Sequence, residues 1–198
     1  VYTFDFNTSW ILKFCYYYRY DDRMRNIIKR LPGIEALFMV YNKRDQLVLT
    51  QDGNLRECHK WLFTKYDVFN RPVMTGRYKD TVNVSLDAMQ AAVDNEPDLY
   101  ETFSTAFEHG YTNEAFPDIS QAESEIHTIT FYDHYEYINQ PQFNGRYDFD
   151  GGHTQFMYPK AENVKGLATA TKTKILPNPG ITLESGVEFI INVTYYDQ

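Results

Sequence analysis

Hydrophobic and polar positions alternate along much of this chain with the period of two that a half-buried strand requires. The segment around Trp61, Phe63 and Lys65 places these on one face and Leu62, Thr64 and Tyr66 on the other. Three such runs lead into a similar string: YRYDDRMRNIIKRLPG at 18–33, MVYNKRDQLVLTQDG at 39–53 and FTKYDVFNRPVMTG at 63–76. Aligned on Tyr20-Asp21, Tyr41-Asn42 and Tyr66-Asp67, each continues through a few polar residues and an apolar run to Gly33, Gly53 or Gly76. Two partial copies follow, TITFYDHYEYI at 128–138 around Tyr132-Asp133 and INVTYYDQ at 191–198 around Tyr196-Asp197.

Each full copy reads as a hairpin. Asp or Asn at the first turn position accepts hydrogen bonds from backbone N–H groups two residues on. Three residues later, a type I turn closed by a bulge needs positive φ. That position holds Met24, Asp45 and Asn70. Asn and Asp tolerate the left-handed region, whereas Met does not, so the first copy must turn differently or carry strain. The return strands are expected over 26–31, 46–50 and 72–76.

Two stretches interrupt the array. In 79–127, Ser85 can cap a helix with Asp87 in its first turn, and Leu86, Met89 and Val93 share one face. Pro97 would stop that helix, and Leu99, Tyr100 and Phe103 suggest a short second one, giving a helical insertion over about 85–107. The second stretch, 139–166, is rich in Asn, Gln, Gly and Pro and reads as a long loop. ATATKTKIL at 168–176 alternates as a strand, and a last strand covers 188–196. The chain thus divides into hairpins (1–78), a helical and loop insertion (79–127), a degenerate repeat strand (128–138), a loop insertion (139–166) and C-terminal strands (167–198). Together they form one domain, expected to belong to a longer array because the sequence stops where earlier copies turn back.

Composition sharpens this reading. Of 198 residues, 17 are Tyr and 14 are Phe, types that favour the pleated surface of a sheet. The net charge of −8 argues against nucleic acid as a partner, since such binders carry a basic stripe. No run approaches the roughly 20 apolar residues of a membrane helix, and residues 1–15 lack the pattern of a signal peptide. Cys15 and Cys58 have no metal-ligand spacing, and two separate, partly buried thiols are expected over a disulfide.

These strings resemble the YD repeats of the Rhs family, whose pattern is roughly Tyr-x-Tyr-Asp-x-x-Gly-Arg-Leu, a few strand residues and a Gly. The stretch 31–76, with GYTNEAF and ITFYDHYEY, is similar to very large secreted Rhs-type proteins of Bacteroidetes. The family Gly is replaced by Met24, Asp45, Asn70 and Glu136. The family Arg is kept as Arg25 and Arg71 but is Gln46 and Tyr137 in the other copies. The resemblance implies a mainly β protein, a curled antiparallel sheet of Tyr-Asp hairpins that acts as shell wall or surface scaffold. The implied setting is secreted or cell-surface. The implied partners are flanking repeats, with an encapsulated C-terminal domain or a surface glycan beyond them. A piece of such an array exposes sheet edges and is expected to self-associate through them.

Candidate chemistry is sparse, and no cofactor or enzymatic activity is expected. His127 and His134 fall on opposite faces of one strand, and His59, His109 and His153 are scattered. YDFDGGH at 147–153 starts like a calcium loop through Asp148 and Asp150, but its twelfth position is Pro159 rather than Glu. No nucleophile elbow, phosphate loop or dinucleotide motif is present. Arg19, Arg23, Arg25, Lys29 and Arg30 read as a solvated face interleaved with Asp21 and Asp22. The aromatic surplus fills a core by default. Its alternative use is ligand stacking by exposed Trp10, Tyr16, Tyr17, Tyr18 and Trp61, which would make the chain a glycan- or protein-binding module.

Overall fold

The computed structural model describes residues 13–120, 123–139, 143, 161–175 and 189–196. The strands are β1 (Tyr17–Tyr20), β2 (Asn26–Arg30), β3 (Leu37–Tyr41), β4 (Leu47–Gln51), β5 (Lys60–Tyr66), β6 (Pro72–Lys79), β7 (Glu125–Asp133), β8 (Val164–Lys174) and β9 (Phe189–Val193). They form one antiparallel sheet in sequence order, with β1 and β9 at its two ends. The chain groups into two compact units. One comprises Val1–Thr64, Gly76–Leu99 and Glu114–Glu125, the other Lys65–Thr75, Tyr100–Asn113 and Ile126–Gln198.

In the first unit, β1 to β5 pair through short hairpins and connections. Asp52 caps the one-turn helix α1 (Gly53–Glu57) by accepting from Leu55 N, and this helix carries the chain from β4 into β5. One face of β3, β4 and β5 buries Val40, Leu49, Trp61 and Phe63, and Val48, of the opposite parity, is buried on the other. Helix α2 (Leu86–Asn95) packs on β3. It begins at Ser85, whose Oγ accepts from Ala88 N, and it buries Leu86, Met89 and Val93. Gln90 of α2 bonds both backbone groups of Tyr41, donating to its carbonyl (2.7 Å) and accepting from its N–H (3.2 Å).

No second helix forms over Leu99, Tyr100 and Phe103. The Glu101 N–H bonds Tyr66 O (2.7 Å), Asp67 bridges Glu101, and Phe103 bridges Tyr111. Backbone pairing with the end of β5 thus overrides local helical spacing, and helix within 85–107 is confined to α2.

In the second unit, β7, β8 and β9 pair in series. Strand β8 begins at Val164, inside the stretch expected to be loop. Its first residue pairs with Asp133, which fixes that end. The core is aromatic: Phe131 stacks on Tyr137 (4.5 Å) and Tyr111 (5.8 Å) and meets Phe143 edge-on (5.9 Å). Cys15 and Cys58 are free, and Cys58 is exposed rather than partly buried.

Candidate functional site: a turn that recurs and a clasp between turns

Three turns share one hydrogen-bond pattern. Asp21 Oδ1 accepts from the N–H groups of Arg23 and Arg25, both at 2.9 Å. Asn42 Oδ1 accepts from Arg44 and Gln46 (2.9 and 3.0 Å), and Asp67 Oδ1 from Phe69 and Arg71 (2.8 and 2.9 Å). In each, the residue three on donates its N–H back to the first carbonyl with positive φ: 62° at Met24, 60° at Asp45 and 67° at Asn70. Met24 therefore adopts the common turn and keeps the strain. Its side chain is 78% exposed and gains little by packing. Met24→Gly is expected to stabilise the chain by about 1 kcal/mol, since a left-handed residue with a Cβ costs roughly 1–2 kcal/mol. An unchanged denaturation midpoint would show that the turn is unstrained.

Each turn is locked by its fourth residue. Arg25 Nε donates to Asp21 Oδ2 (2.6 Å) and Arg71 Nε to Asp67 Oδ2 (2.7 Å). The middle turn makes the same bond without charge, from Asn42 Nδ2 to Gln46 Oε1 (2.7 Å). Both of these amides are buried, where an ion pair would lose more hydration than an amide pair. The pairing of Asp with Arg and of Asn with Gln is thus one interaction in two chemistries.

The same arginines reach the next copy. The Arg25 guanidinium lies 4.9 Å from the centre of the Tyr41 ring, and Nη1 bonds Asn42 O (3.1 Å) and Asp45 Oδ1 (2.9 Å). Tyr41 Oη donates to Asn26 O, the carbonyl of the residue after Arg25 (3.0 Å). In the second unit, Arg71 lies 4.3 Å over Tyr132 and grips Asp133 with both Nη groups (2.9 and 2.5 Å). Tyr132 Oη donates to Pro72 O, again the carbonyl after the arginine (3.2 Å). Tyr41 and Tyr132 are therefore the platforms on which the arginines of the preceding turns lie.

Charge follows this geometry. The Arg71 guanidinium holds the Asp133 carboxyl down at about 2, and the same bonds raise Arg71. For Asp21, burial pushes the carboxyl up, but the Arg25 N–H and guanidinium outweigh it and the net direction is down. Burial raises the Tyr41 and Tyr132 phenols.

The fourth copy departs from the pattern. Asp133 itself takes positive φ (72°), and the chain enters a 3-10 helix at Glu136–Asn139 instead of turning back. Asp133 Oδ1 nevertheless accepts from the N–H of Gly166 (2.6 Å), at the start of the partner strand. Strands β7 and β8 pair antiparallel, and most of the stretch read as loop between them in sequence lies outside the described residues. Tyr196 Oη donates to Ala168 O (2.9 Å), a bond to the preceding strand like those of Tyr41 and Tyr132. Asp197 lies outside the described residues.

The other sequence candidates separate. Gly33 turns with φ of 71°, Gly53 opens α1, and Gly76 sits within β6. Tyr20 and Tyr18 are exposed on one face of β1, beside Tyr16, which is 66% exposed. Tyr17, on the other face, lies under Arg30 (5.6 Å). Trp61 is fully buried and offers no ligand-stacking face, because the parity it shares with Phe63 points to the core. The basic cluster is partly neutralised: Arg19 pairs with Asp87 and Arg23 with Asp45. Trp10, Asp148, Asp150 and His153 lie outside the described residues.

His109 and His134 are half-buried, and burial lowers both pKa values from the usual range near 6.5. Their folded pKa values lie below the unfolded ones, so the unfolded chain takes up protons first. Stability is then full above about pH 6.5 and declines as pH falls through the window beneath it. Urea titrations at pH 7.5 and 5.5 should show lower stability at 5.5, with the difference reduced in His109→Gln/His134→Gln. Equal stability at both would contradict this.

One constellation has no counterpart in the motif search. Lys65 Nζ donates to Glu101 Oε1 and to Asn113 Oδ1, both at 2.7 Å, and the Lys65 and Glu101 side chains are both 0% exposed. Thr112 Oγ1 donates to Glu101 Oε2 (2.6 Å) and accepts from Thr102 N (2.9 Å). The only signal in the sequence is that Lys65 shares the inward parity of Trp61 and Phe63.

Compared with protein-family models, with curated proteins and with solved structures, the chain matches none of them. The class that fold and site define is a mainly β protein of antiparallel hairpins, and no helix among the described residues is long and apolar enough to cross a membrane.

Proposed function

We propose that this chain is a non-catalytic structural segment of a large secreted or cell-surface protein of Rhs/YD-repeat type. It forms part of a β-shell wall or surface scaffold. The observation that carries this reading is the recurrence of one turn and one arginine–tyrosine clasp at separate places in the chain. A structure whose repeats are tied by the same bonds can be extended by adding repeats, which is how wall is built. Its partners are then flanking repeats, with an enclosed C-terminal domain as cargo, and its open edges favour self-association. A second reading, a module that binds glycan or protein by stacking, is supported by the exposed Tyr18 and Tyr20 of β1 and Tyr16 just before it.

Electron microscopy of the full natural protein tests the first reading. A hollow shell or extended scaffold walled by sheet is the expected result. A solid globular particle would overturn it and move attention to the β1 tyrosines.

A further inference from the structure

Lys65, Glu101 and Asn113 do more than satisfy one another. We propose that Lys65 and Asn113 become joined by an autocatalytic amide cross-link, with Glu101 as the proton-transfer group. This goes beyond the structural reading above and does not depend on it.

Lys65 Nζ touches a carboxylate oxygen and a carboxamide oxygen at once, each at 2.7 Å. The Asn113 Cγ lies one C=O bond, about 1.2 Å, behind that oxygen. Amine and acyl carbon are therefore held together before reaction, and such placement replaces a very high concentration of reactants. The pair is also dry. Neither side chain is exposed, and the Glu101 carboxylate oxygen that touches Nζ is the group placed to take its proton. A neutral amine is the form that attacks. Excluding water also suppresses hydrolysis, the reaction that would compete for the same carboxamide.

The step balances without any further reactant. Glu101 accepts a proton from Lys65, and the Nζ lone pair attacks Asn113 Cγ to form a tetrahedral intermediate. Glu101 then passes that proton to Nδ2, the Cγ–Nδ2 bond breaks as the C=O re-forms and ammonia leaves, and Glu101 takes up the second Nζ proton, so that the amide is left neutral. The product is a secondary amide between the two side chains, and Asn113, unlike Lys65 and Glu101, is only half-buried. Thr112 is a positioning residue: its hydroxyl fixes the second carboxylate oxygen and leaves Oε1 facing Nζ. The bond would tie β5 to the segment around Asn113 in a way that denaturant cannot undo.

The test is the intact mass of the folded full chain, followed by proteolytic mapping. The expected mass is lower than that of the sequence by one ammonia, with a branched peptide joining the segments that contain Lys65 and Asn113. Asn113→Ala should restore the full sequence mass and abolish the branched peptide. Folded Glu101→Gln should do the same with both joining residues intact. A wild-type chain of full sequence mass would overturn the proposal. So would a missing ammonia without the branched peptide, as succinimide formation elsewhere would give. A branched peptide persisting in Glu101→Gln would overturn the role of Glu101. The wild-type result needs no variant to fold.

Discussion

Lys65→Met, made in an Asn113→Ala background so that no cross-link contributes, will lower stability by about 3–5 kcal/mol. The change leaves the Glu101 carboxylate without its counter-charge in a site with no exposure. The Thr112 hydroxyl still donates to it, but a neutral hydrogen bond does not replace an ammonium. Adding Glu101→Leu should recover most of the loss, because replacing a buried ion pair by apolar groups is often neutral. Urea titration of the three chains gives both numbers. A single substitution costing under about 1 kcal/mol, or a double no better than the single, would show that the site is wetter than described.

Gly76→Ala is the second large effect. Gly76 is an interior residue of β6 with no unusual backbone angle, so its requirement is for space. A Cβ there would fall inside contact distance of the Glu125 carbonyl oxygen and 2.6 Å from the Phe63 ring. The first of these is backbone and cannot rotate away, and Phe63 is buried. The strands must separate locally, at a cost of about 1–3 kcal/mol or more. Gly33 is a useful contrast, since a Cβ would meet nothing within 4 Å and only its φ of 71° resists substitution. Gly33→Ala should cost about 1 kcal/mol. If the two substitutions cost the same in thermal or urea denaturation, crowding at Gly76 is not the reason for a glycine there.

What the sequence made legible was local. The turns at Asp21, Asn42 and Asp67 rest on bonds between residues two to four apart, so residue type and spacing suffice. The same holds for Ser85 and the α2 face. Alternation in β5 separated two faces, but parity alone does not say which face is the core, and Trp61 depended on that. The link from Lys65 to Glu101 spans 36 residues and crosses a region whose own spacing suggested helix. The pairing of β7 with β8 was hidden because a long stretch that reads as loop separates them in sequence, and Asp133 and Gly166 meet only in three dimensions. The repeat tyrosines were visible as markers of a copy. That they carry the arginine of the copy before could be seen only once Arg71 lay over Tyr132 and Arg25 over Tyr41.

Arg71 belongs to one turn and binds the aspartate that follows the next tyrosine. A double-mutant cycle with Arg71→Gln and Asp133→Asn, read by urea denaturation, measures the link directly. The two side chains are partly exposed, and the bidentate bond should couple them by about 1–2 kcal/mol. Substitutions that instead add to within about 0.3–0.5 kcal/mol would show that the hairpins are held by strand pairing alone and that the clasp contributes nothing.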